Sequence, residues 1–205
     1  MKKIRNLLWR ILGFDYNYLL EKTDFVTLKR DLFTEKGKGT YDNGAKVWRW
    51  SKAKLVIGKY CSIAHNVNFI VDEGFHGMSE ITNYPFINNL SENSDSISIR
   101  QQKIQKEGIT VGNDVWVGIN TVILPGIKIG NGVTIAAGSV VTKDIPDYVM
   151  VAGMPAKIIK EKYSTEQKSA LNKIAWWNWE EKTIDEKKLD FYKLNVEEFI
   201  DKYKR

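Results

Sequence analysis

Residues 111–146 read VGNDVWVGINTVILPGIKIGNGVTIAAGSVVTKDIP, a stretch in which a unit of six residues repeats six times. The first position of every unit holds a β-branched aliphatic residue, namely Val111, Val117, Ile123, Ile129, Ile135 and Val141. This period differs from the helical period of about 3.6 residues and from the alternation of a half-buried strand. It is the period of one side of a three-sided coil, in which the aliphatic side chain points to the axis. The stretch therefore predicts a hexapeptide β-helix.

The remaining positions of the repeat fit the same coil. The second position is mostly small and suits a corner, as at Gly112, Gly118, Leu124, Gly130, Ala136 and Thr142. The same register occurs upstream at Ile57, Ile63 and Phe69. We therefore expect one coil over residues 51–71 and further coils over residues 109–150. Residues 72–108 leave the register, and a long excursion from a regular scaffold commonly carries function.

Composition restricts the class of protein without choosing a partner. The chain has 205 residues, a net charge of +6 and a pI of about 9.2, which suits phosphates, nucleotides, anionic lipids or nucleic acid. A single cysteine, Cys61, excludes an internal disulfide and favours a reducing compartment. The N-terminus lacks the features of a signal peptide, and no apolar run is long enough to span a membrane. We therefore expect a cytoplasmic protein.

Two flanking segments are expected around the β-helix of residues 51–160. Residues 1–50 are interpreted as an N-terminal helix and capping segment, with residues 36–44 forming a loop. Residues 1–12 predict a basic amphipathic helix that packs on the coil, on another subunit, or on an anionic membrane surface. Residues 161–205 predict helices, because Ser164 and Gln167 form a capping-box pattern and Asn195 precedes a short apolar period.

Several motifs together resemble the hexapeptide-repeat acetyltransferases. They are the excursion DEGFHGMSEITNYPF at residues 72–86, the restart ITVGNDVWVG at residue 109, VAGMPAKIIK at 151–160 and WWNW at 176–179. The resemblance covers roughly residues 51–182 and is strongest to the xenobiotic acetyltransferase branch. That branch includes streptogramin and type B chloramphenicol acetyltransferases and acetyltransferases of sugars and surface polysaccharides. Residues 1–50 do not resemble the drug-modifying members.

The resemblance implies a mainly β fold, a left-handed parallel β-helix with a protruding loop and C-terminal α-helices. It also implies a homotrimer with active sites between subunits, and acetyl-CoA lying along the coil as co-substrate. We expect no metal. The chain has two histidines, whereas zinc-dependent carbonic anhydrases of this fold use three, and it contains no Cys/His cluster with metal-ligand spacing.

The resemblance assigns His76, in the excursion, as the general base that removes the proton of an acceptor hydroxyl. An imidazole suits this role because its pKa lies near neutrality. Asp72, Glu73 or Glu80 are alternatives for the group that orients it. His65 occupies an outward position of the coil and is interpreted as a surface residue, with the acceptor cleft as an alternative place.

Further site residues are expected around the acceptor and the donor. Tyr84 and Phe86 are expected to bind the acceptor, since aromatic faces suit sugars and macrocycles. The resemblance places Trp116 near the acceptor cleft and the thioester end of CoA, so it is expected to bind the acceptor too. The residues expected to bind the cofactor are Gly118, Ala137, Gly138, Lys143, Pro155, Lys157 and Lys160. Small residues at coil corners and scattered lysines also have purely structural explanations. Backbone N–H groups around Gly118 and on the next coil are the expected donors to the oxyanion.

We therefore predict an acetyl-CoA-dependent O-acetyltransferase acting directly on a hydroxyl of a sugar or cell-surface polysaccharide precursor. A drug hydroxyl, as in streptogramin or chloramphenicol acetylation, is the alternative acceptor, followed by an amino sugar. A catalytically inactive trimeric scaffold is the alternative from another class. No nucleic acid is expected, and residues 1–12 give a possible contact with the inner face of the membrane.

Overall fold

A computed structural model describes residues 25–49, 51–72, 81, 82, 84 and 108–204. Its strands stack into a parallel β-helix with three faces, and the coil is left-handed, as the sequence predicted. Face I holds β2 (Thr34–Lys36), β5 (Leu55–Ile57), β8 (Ile109–Val111) and β11 (Lys128–Ile129). Face II holds β3 (Tyr41–Asp42), β6 (Ser62–Ile63), β9 (Trp116–Val117), β12 (Thr134–Ile135) and β14 (Val149–Gly153). Face III holds β4 (Lys46–Trp48), β7 (Asn68–Ile70), β10 (Val122–Ile123) and β13 (Val140–Val141).

Two antiparallel strands flank the parallel stack. β1 (Val26–Thr27) pairs with β4, and β15 (Ala156–Glu161) pairs with β14 to form a hairpin. The amphipathic helix expected at residues 1–12 lies outside the described residues. Among the residues described, no helix is both long enough and apolar enough to cross a membrane.

The hexapeptide register is confirmed by the core. Every first-position residue from Val111 to Val141 is at most 3% exposed, and the fifth-position residues are buried beside them. Parallel pairing stacks equivalent positions directly, so that Ile63, Val117 and Ile135 occupy one column. The axis of the β-helix is therefore a continuous apolar core, and removal of this area from water stabilises the coil.

The β-helix begins one coil earlier than the sequence indicated. Residues 34–48 form a complete coil, so the loop expected at residues 36–44 is wrong. Lys36 and Asp42 stand in register with Ile57 and Ile63, and they form an ion pair of 3.2 Å. A charged pair at the two axial positions carries no hydrophobic period, which explains why the sequence pattern did not indicate this coil.

The chain leaves and re-enters the coil at a single place, as expected for an excursion. The N–H of Gly108 donates to the carbonyl of Val71 at 3.0 Å, and β5 pairs directly with β8. Asp72 accepts hydrogen bonds from both the N–H and the hydroxyl of Ser51, at 2.7 and 2.6 Å. The coil therefore continues in register on both sides of the excursion.

Four short helices follow the hairpin: α1 (Thr165–Ile174), α2 (Glu181–Lys187), α3 (Asp190–Lys193) and α4 (Val196–Tyr203). Ser164 caps α1 with the predicted capping box, and Asn195 caps α4 as expected, in a second capping box that it forms with Glu198. Together with the 3-10 turn Trp176–Asn178, the helices form a second apolar cluster against Tyr60 and Tyr148 of the coil. The C-terminal segment therefore covers one side of the β-helix.

Two glycines with similar backbone angles allow a matched test of the coil packing. Gly132 has φ 63° and Gly138 has φ 70°. A Cβ at Gly132 would lie 2.3 Å from the Tyr148 ring, whereas a Cβ at Gly138 would meet nothing within 4 Å. We expect Gly132→Ala to lower the free energy of unfolding by about 1–3 kcal/mol more than Gly138→Ala, because only the first adds a clash to the same backbone strain. Urea denaturation of both variants measures the difference, and equal losses would contradict the packing described.

Candidate active site

At two corners of the β-helix, the backbone N–H groups differ in whether they have hydrogen-bond acceptors. At the corner between faces I and II, side chains form a ladder along the coils. Asn113 Oδ1 accepts from the N–H of Lys59 at 2.8 Å, and Asn131 Oδ1 accepts from the N–H of Asn113 at 2.8 Å. Asp147 Oδ1 accepts in the same way from the N–H of Asn131 at 2.7 Å. Each of these side chains therefore accepts a hydrogen bond from a backbone N–H that the stacking of the coils leaves without a partner.

The corner between faces II and III lacks this ladder. Its equivalent positions are Ile119, Ala137 and Gly153, whose side chains contain no hydrogen-bond acceptor. In the described part of the chain, the N–H groups of His65, Ile119 and Ala137 consequently have no acceptor. Ala137 is exposed, and the Ile119 side chain is 45% exposed. The corner therefore presents a row of unpaired backbone donors along successive coils, which we call the donor row.

Gly118 lies beside the donor row and has a structural role in it. Its own N–H donates to the carbonyl of Ile135 at 2.8 Å, so it is not an available donor to an oxyanion. A Cβ at Gly118 would lie 2.5 Å from the nitrogen of Ala137, which only a glycine avoids. The structure therefore brings Gly118 and Ala137 together, with Gly138 following at the same corner. The donors expected around Gly118 are those of Ile119 and Ala137.

The hairpin of β14 and β15 extends from the same corner. Ala152 follows Val151, whose carbonyl accepts from the N–H of Ala136, and Lys157 lies opposite Ala152 in the hairpin. Pro155 is exposed at the turn of the hairpin, and Lys160 is exposed further along β15. Lys143 instead follows β13, at the corner between faces III and I. Lys157 and Pro155 thus lie near the donor row, whereas the coil places Lys143 at a different corner.

The structure describes some of the residues that are expected to bind the acceptor. Trp116 is 57% exposed on the outside of face II, in register with Ser62 and Thr134. Tyr84 is also 57% exposed. His76 and Phe86 lie outside the described residues, as do Glu73 and Glu80. His65 is exposed, as its outward position predicted, and Cys61 is fully buried, where burial raises the pKa of its thiol.

A cavity of about 720 Å³ lies between the coil and the C-terminal helices, and sequence reasoning did not find it. Asp114, Tyr148, Lys162 and Tyr163 line it. Lys162 Nζ donates to the carbonyl of Gly132 and to Thr134 Oγ1, both at 2.7 Å. These residues come from three separate stretches of the chain and share no motif, so no sequence signal marked them as neighbours.

Burial changes the pKa of the ionisable groups around this cavity. Desolvation raises the pKa of Asp114 to about 6, against the opposing charge of Lys162. Desolvation lowers the pKa of Lys162, and Asp114 partly offsets that change. Desolvation, followed by the charges of Asp147 and Asp114, raises the pKa of Tyr148. Among the described residues, no group of three possible metal ligands occurs here or elsewhere.

Comparison with known proteins agrees with this architecture. The family described as bacterial transferase hexapeptide (six repeats) matches residues 108–143. A probable macrolide acetyltransferase of Lysinibacillus sphaericus is 39% identical over 167 residues, which are 80% of this chain and 92% of that protein. A chloramphenicol acetyltransferase of Klebsiella aerogenes is 41% identical over 62% of this chain and 60% of its own length. A galactoside O-acetyltransferase of Escherichia coli is 42% identical over 52% of this chain and 44% of that protein.

The repeat, the fold and the extended similarity to the first of these relatives agree with one another. The chain belongs to the hexapeptide-repeat acetyltransferases.

The raised pKa of Asp114 predicts how stability depends on pH. The folded pKa of about 6 exceeds the ordinary value of 3.8, so the unfolded chain loses this proton first as pH rises. Stability from the protonated carboxyl is therefore complete below the ordinary pKa and is lost as pH rises towards the folded pKa. An Asp114→Asn variant does not titrate there. We expect its melting temperature relative to the parent to increase by about 1–3 °C between about pH 4.5 and about pH 7.5. The change is small because the residue as a whole is exposed, so that solvent screens part of the desolvation of its carboxyl. A constant difference across that range, measured by differential scanning fluorimetry, would show that burial does not perturb Asp114.

Proposed function

We propose that the protein transfers an acetyl group from acetyl-CoA to a hydroxyl group. Its membership of the acetyltransferase family supports this class of reaction, and the donor row supports the place where CoA binds. The pantetheine arm of CoA is extended and carries amide carbonyls, which are hydrogen-bond acceptors. Donors on successive coils recur at the strand spacing of about 4.8 Å and suit such an arm. Gly118, Ala137 and Gly138 leave the arm room to approach the backbone.

In the proposed mechanism, His76 accepts the proton of the acceptor hydroxyl as that oxygen attacks the thioester carbonyl. The N–H groups of Ile119 and Ala137 are proposed to bind carbonyl oxygens along acetyl-CoA, and the thioester oxygen, on which charge develops, is one of these acceptors. The C–S bond then breaks, CoA leaves as its thiol after taking up a proton, and the ester remains on the acceptor. No acetyl-enzyme forms. The role of His76 rests on the motif resemblance, with Asp72 among the candidates to orient it.

The other binding roles are proposed from the motif resemblance, and the positions of Pro155, Lys157 and Trp116 support them. Pro155 at the hairpin turn is proposed to contact the adenine, and Lys157 and Lys160 to bind the phosphates of CoA, which require cations. Lys143 joins them in the proposal although the coil places it at another corner. Trp116, Tyr84 and Phe86 are proposed to contact the acceptor. A trimer is proposed because Met154, Ile158 and Ile159 leave the hairpin with exposed apolar side chains.

The acceptor is proposed to be a hydroxyl of a sugar or a cell-surface polysaccharide precursor, and the galactoside relative supports this choice. A drug hydroxyl is the second candidate, and the macrolide relative supports it through its coverage of 92% of that protein. Release of free thiol from acetyl-CoA, measured with galactosides, short surface glycans, chloramphenicol, a streptogramin and a macrolide, separates the two. A cytoplasmic location with contact between residues 1–12 and the membrane remains a proposal.

The general base is tested by His76→Ala. We expect turnover to fall by about two to four orders of magnitude, because loss of a positioned base removes that much rate. The dissociation constant for CoA, measured by calorimetry, should remain within about threefold of the parent. Equal turnover in the variant and the parent would exclude His76 from the mechanism.

The donor row is tested by Ala137→Asn, which introduces the ladder residue of the other corner. Its side chain would accept from the N–H of Ile119 and remove that donor from the row. We expect the KM for acetyl-CoA to rise about tenfold and the free energy of unfolding to rise by about 0.5–1.5 kcal/mol. Ala137→Val, the control, adds bulk without an acceptor and should not raise stability. If both variants raise the KM equally and neither gains stability, the N–H of Ile119 is not an open donor.

A further inference from the structure

We propose that the cavity between the coil and the C-terminal helices binds a neutral sugar ring and forms a glycan subsite beside Trp116. This inference rests on the proposed function, and it narrows the acceptor to a molecule with at least one ring beyond the one that is acetylated. The cavity is within the range of about 300–1,000 Å³ typical of small-molecule sites. Perturbed ionisable groups that converge on one cavity are a common mark of a binding site.

The first feature of the cavity is an unpaired hydroxyl. Tyr148 lines the cavity and is 4% exposed, and its hydroxyl has no hydrogen-bond partner within the described part of the chain. A buried hydroxyl without a partner destabilises a fold, so such groups are rare unless something outside the chain pairs them. A sugar hydroxyl both donates and accepts, so it can pair this phenol in either direction.

The second feature of the cavity is the balance of positive and negative charge in its lining. Asp114 and Lys162 both line the cavity, so an anionic ligand would face the carboxyl and a cationic one would face the ammonium group. Lys162 also has two protein acceptors already. Lys188 and Asp190 also line the cavity, and each already forms an ion pair elsewhere, Lys188 with Asp185 and Asp190 with Lys202. These charges favour a neutral ligand with several hydroxyl groups.

The third feature of the cavity is a wall of aromatic side chains. Tyr60, Tyr163 and Trp176 line the cavity with aromatic rings, and Tyr60 and Trp176 lie with their ring centroids 5.0 Å apart. Aromatic rings offer an apolar face with a polar edge. A sugar ring has an apolar face of carbon-bound hydrogens and a rim of hydroxyls, so it matches both parts of this lining.

The fourth feature of the cavity is its position relative to the proposed acceptor site. Lys162 donates to Thr134 Oγ1, and Thr134 is the register partner of Trp116 on the adjacent strand. Adjacent strands lie about 4.8 Å apart. Asp114 precedes Trp116 by two residues on the same coil. Trp116 is not part of the cavity lining, but it is adjacent on the coil to Thr134, which a lining residue contacts, so a linked ring could span from the cavity to the tryptophan.

The test is a titration of the full-length protein with methyl β-D-galactopyranoside, without acetyl-CoA, followed by saturation-transfer NMR. We expect saturable binding in the millimolar range, as for a single sugar ring. Tyr148→Phe should weaken it at least about tenfold, the value of one hydrogen bond in a buried site, without loss of thermal stability because the lost hydroxyl is unpaired. Asp114→Asn should weaken it at least about threefold. Tyr41→Phe, at an exposed tyrosine of face II, is the matched control and should bind as the parent does.

Two results would overturn the subsite: no saturable binding up to about 50 mM, or equal binding by the parent and Tyr148→Phe. Galactosamine and galacturonate test the charge argument, and tighter binding of either one than of the neutral probe would contradict it. The titration contains no acetyl-CoA, so it measures binding of the probe without acetyl transfer. A failure of acetyl transfer to every acceptor would therefore leave the binding result intact, and loss of binding would leave the transfer reaction intact.

Discussion

Hydrogen bonding between stacked coils is the constraint on which the rest of this structure depends. Each coil lies one strand spacing from the next, and its backbone groups pair with the equivalent groups of its neighbour. At Gly58, Gly112 and Gly118 this spacing leaves no room for a side chain, because a Cβ there would clash with the backbone of the following coil. The axis, in turn, must be filled, and aliphatic residues fill it. Both features are local consequences of one repeat.

The same stacking gives two corners of opposite chemistry. Between faces I and II, Asn113, Asn131 and Asp147 pair the N–H groups that the turns leave open. Between faces II and III, Ile119, Ala137 and Gly153 provide no such acceptor. The first corner is therefore closed and anchors α1, because Asn172 bonds both Asn131 and Asp147. The second corner leaves its donors open, and we propose that they bind CoA. A change of side chain at one position of the repeat thus separates a closed corner from an open one.

The fold was largely predictable because its period is explicit, and the errors have physical causes. Val111 to Val141 fixed the coil register, and Ser164 and Asn195 marked two helix starts through local capping. The coil at residues 34–48 was missed because Lys36 and Asp42 take the axial positions as an ion pair. The donors expected around Gly118 are the N–H groups of Ile119 and Ala137, because the N–H of Gly118 itself is used by the stacking. Asp114, Tyr148 and Lys162 meet only through the winding of the chain, so their cavity has no counterpart in sequence spacing.

Amide hydrogen exchange measured by NMR reports directly on whether the donor row binds CoA. Exchange at individual residues would be compared with and without saturating CoA. We predict that the amides of Ile119 and Ala137 exchange at least about tenfold more slowly when CoA is bound, because each gains an acceptor. The amide of Asn131, already paired in the ladder, should not change. If CoA binds and the exchange rates of the Ile119 and Ala137 amides do not change, the donor row does not bind CoA.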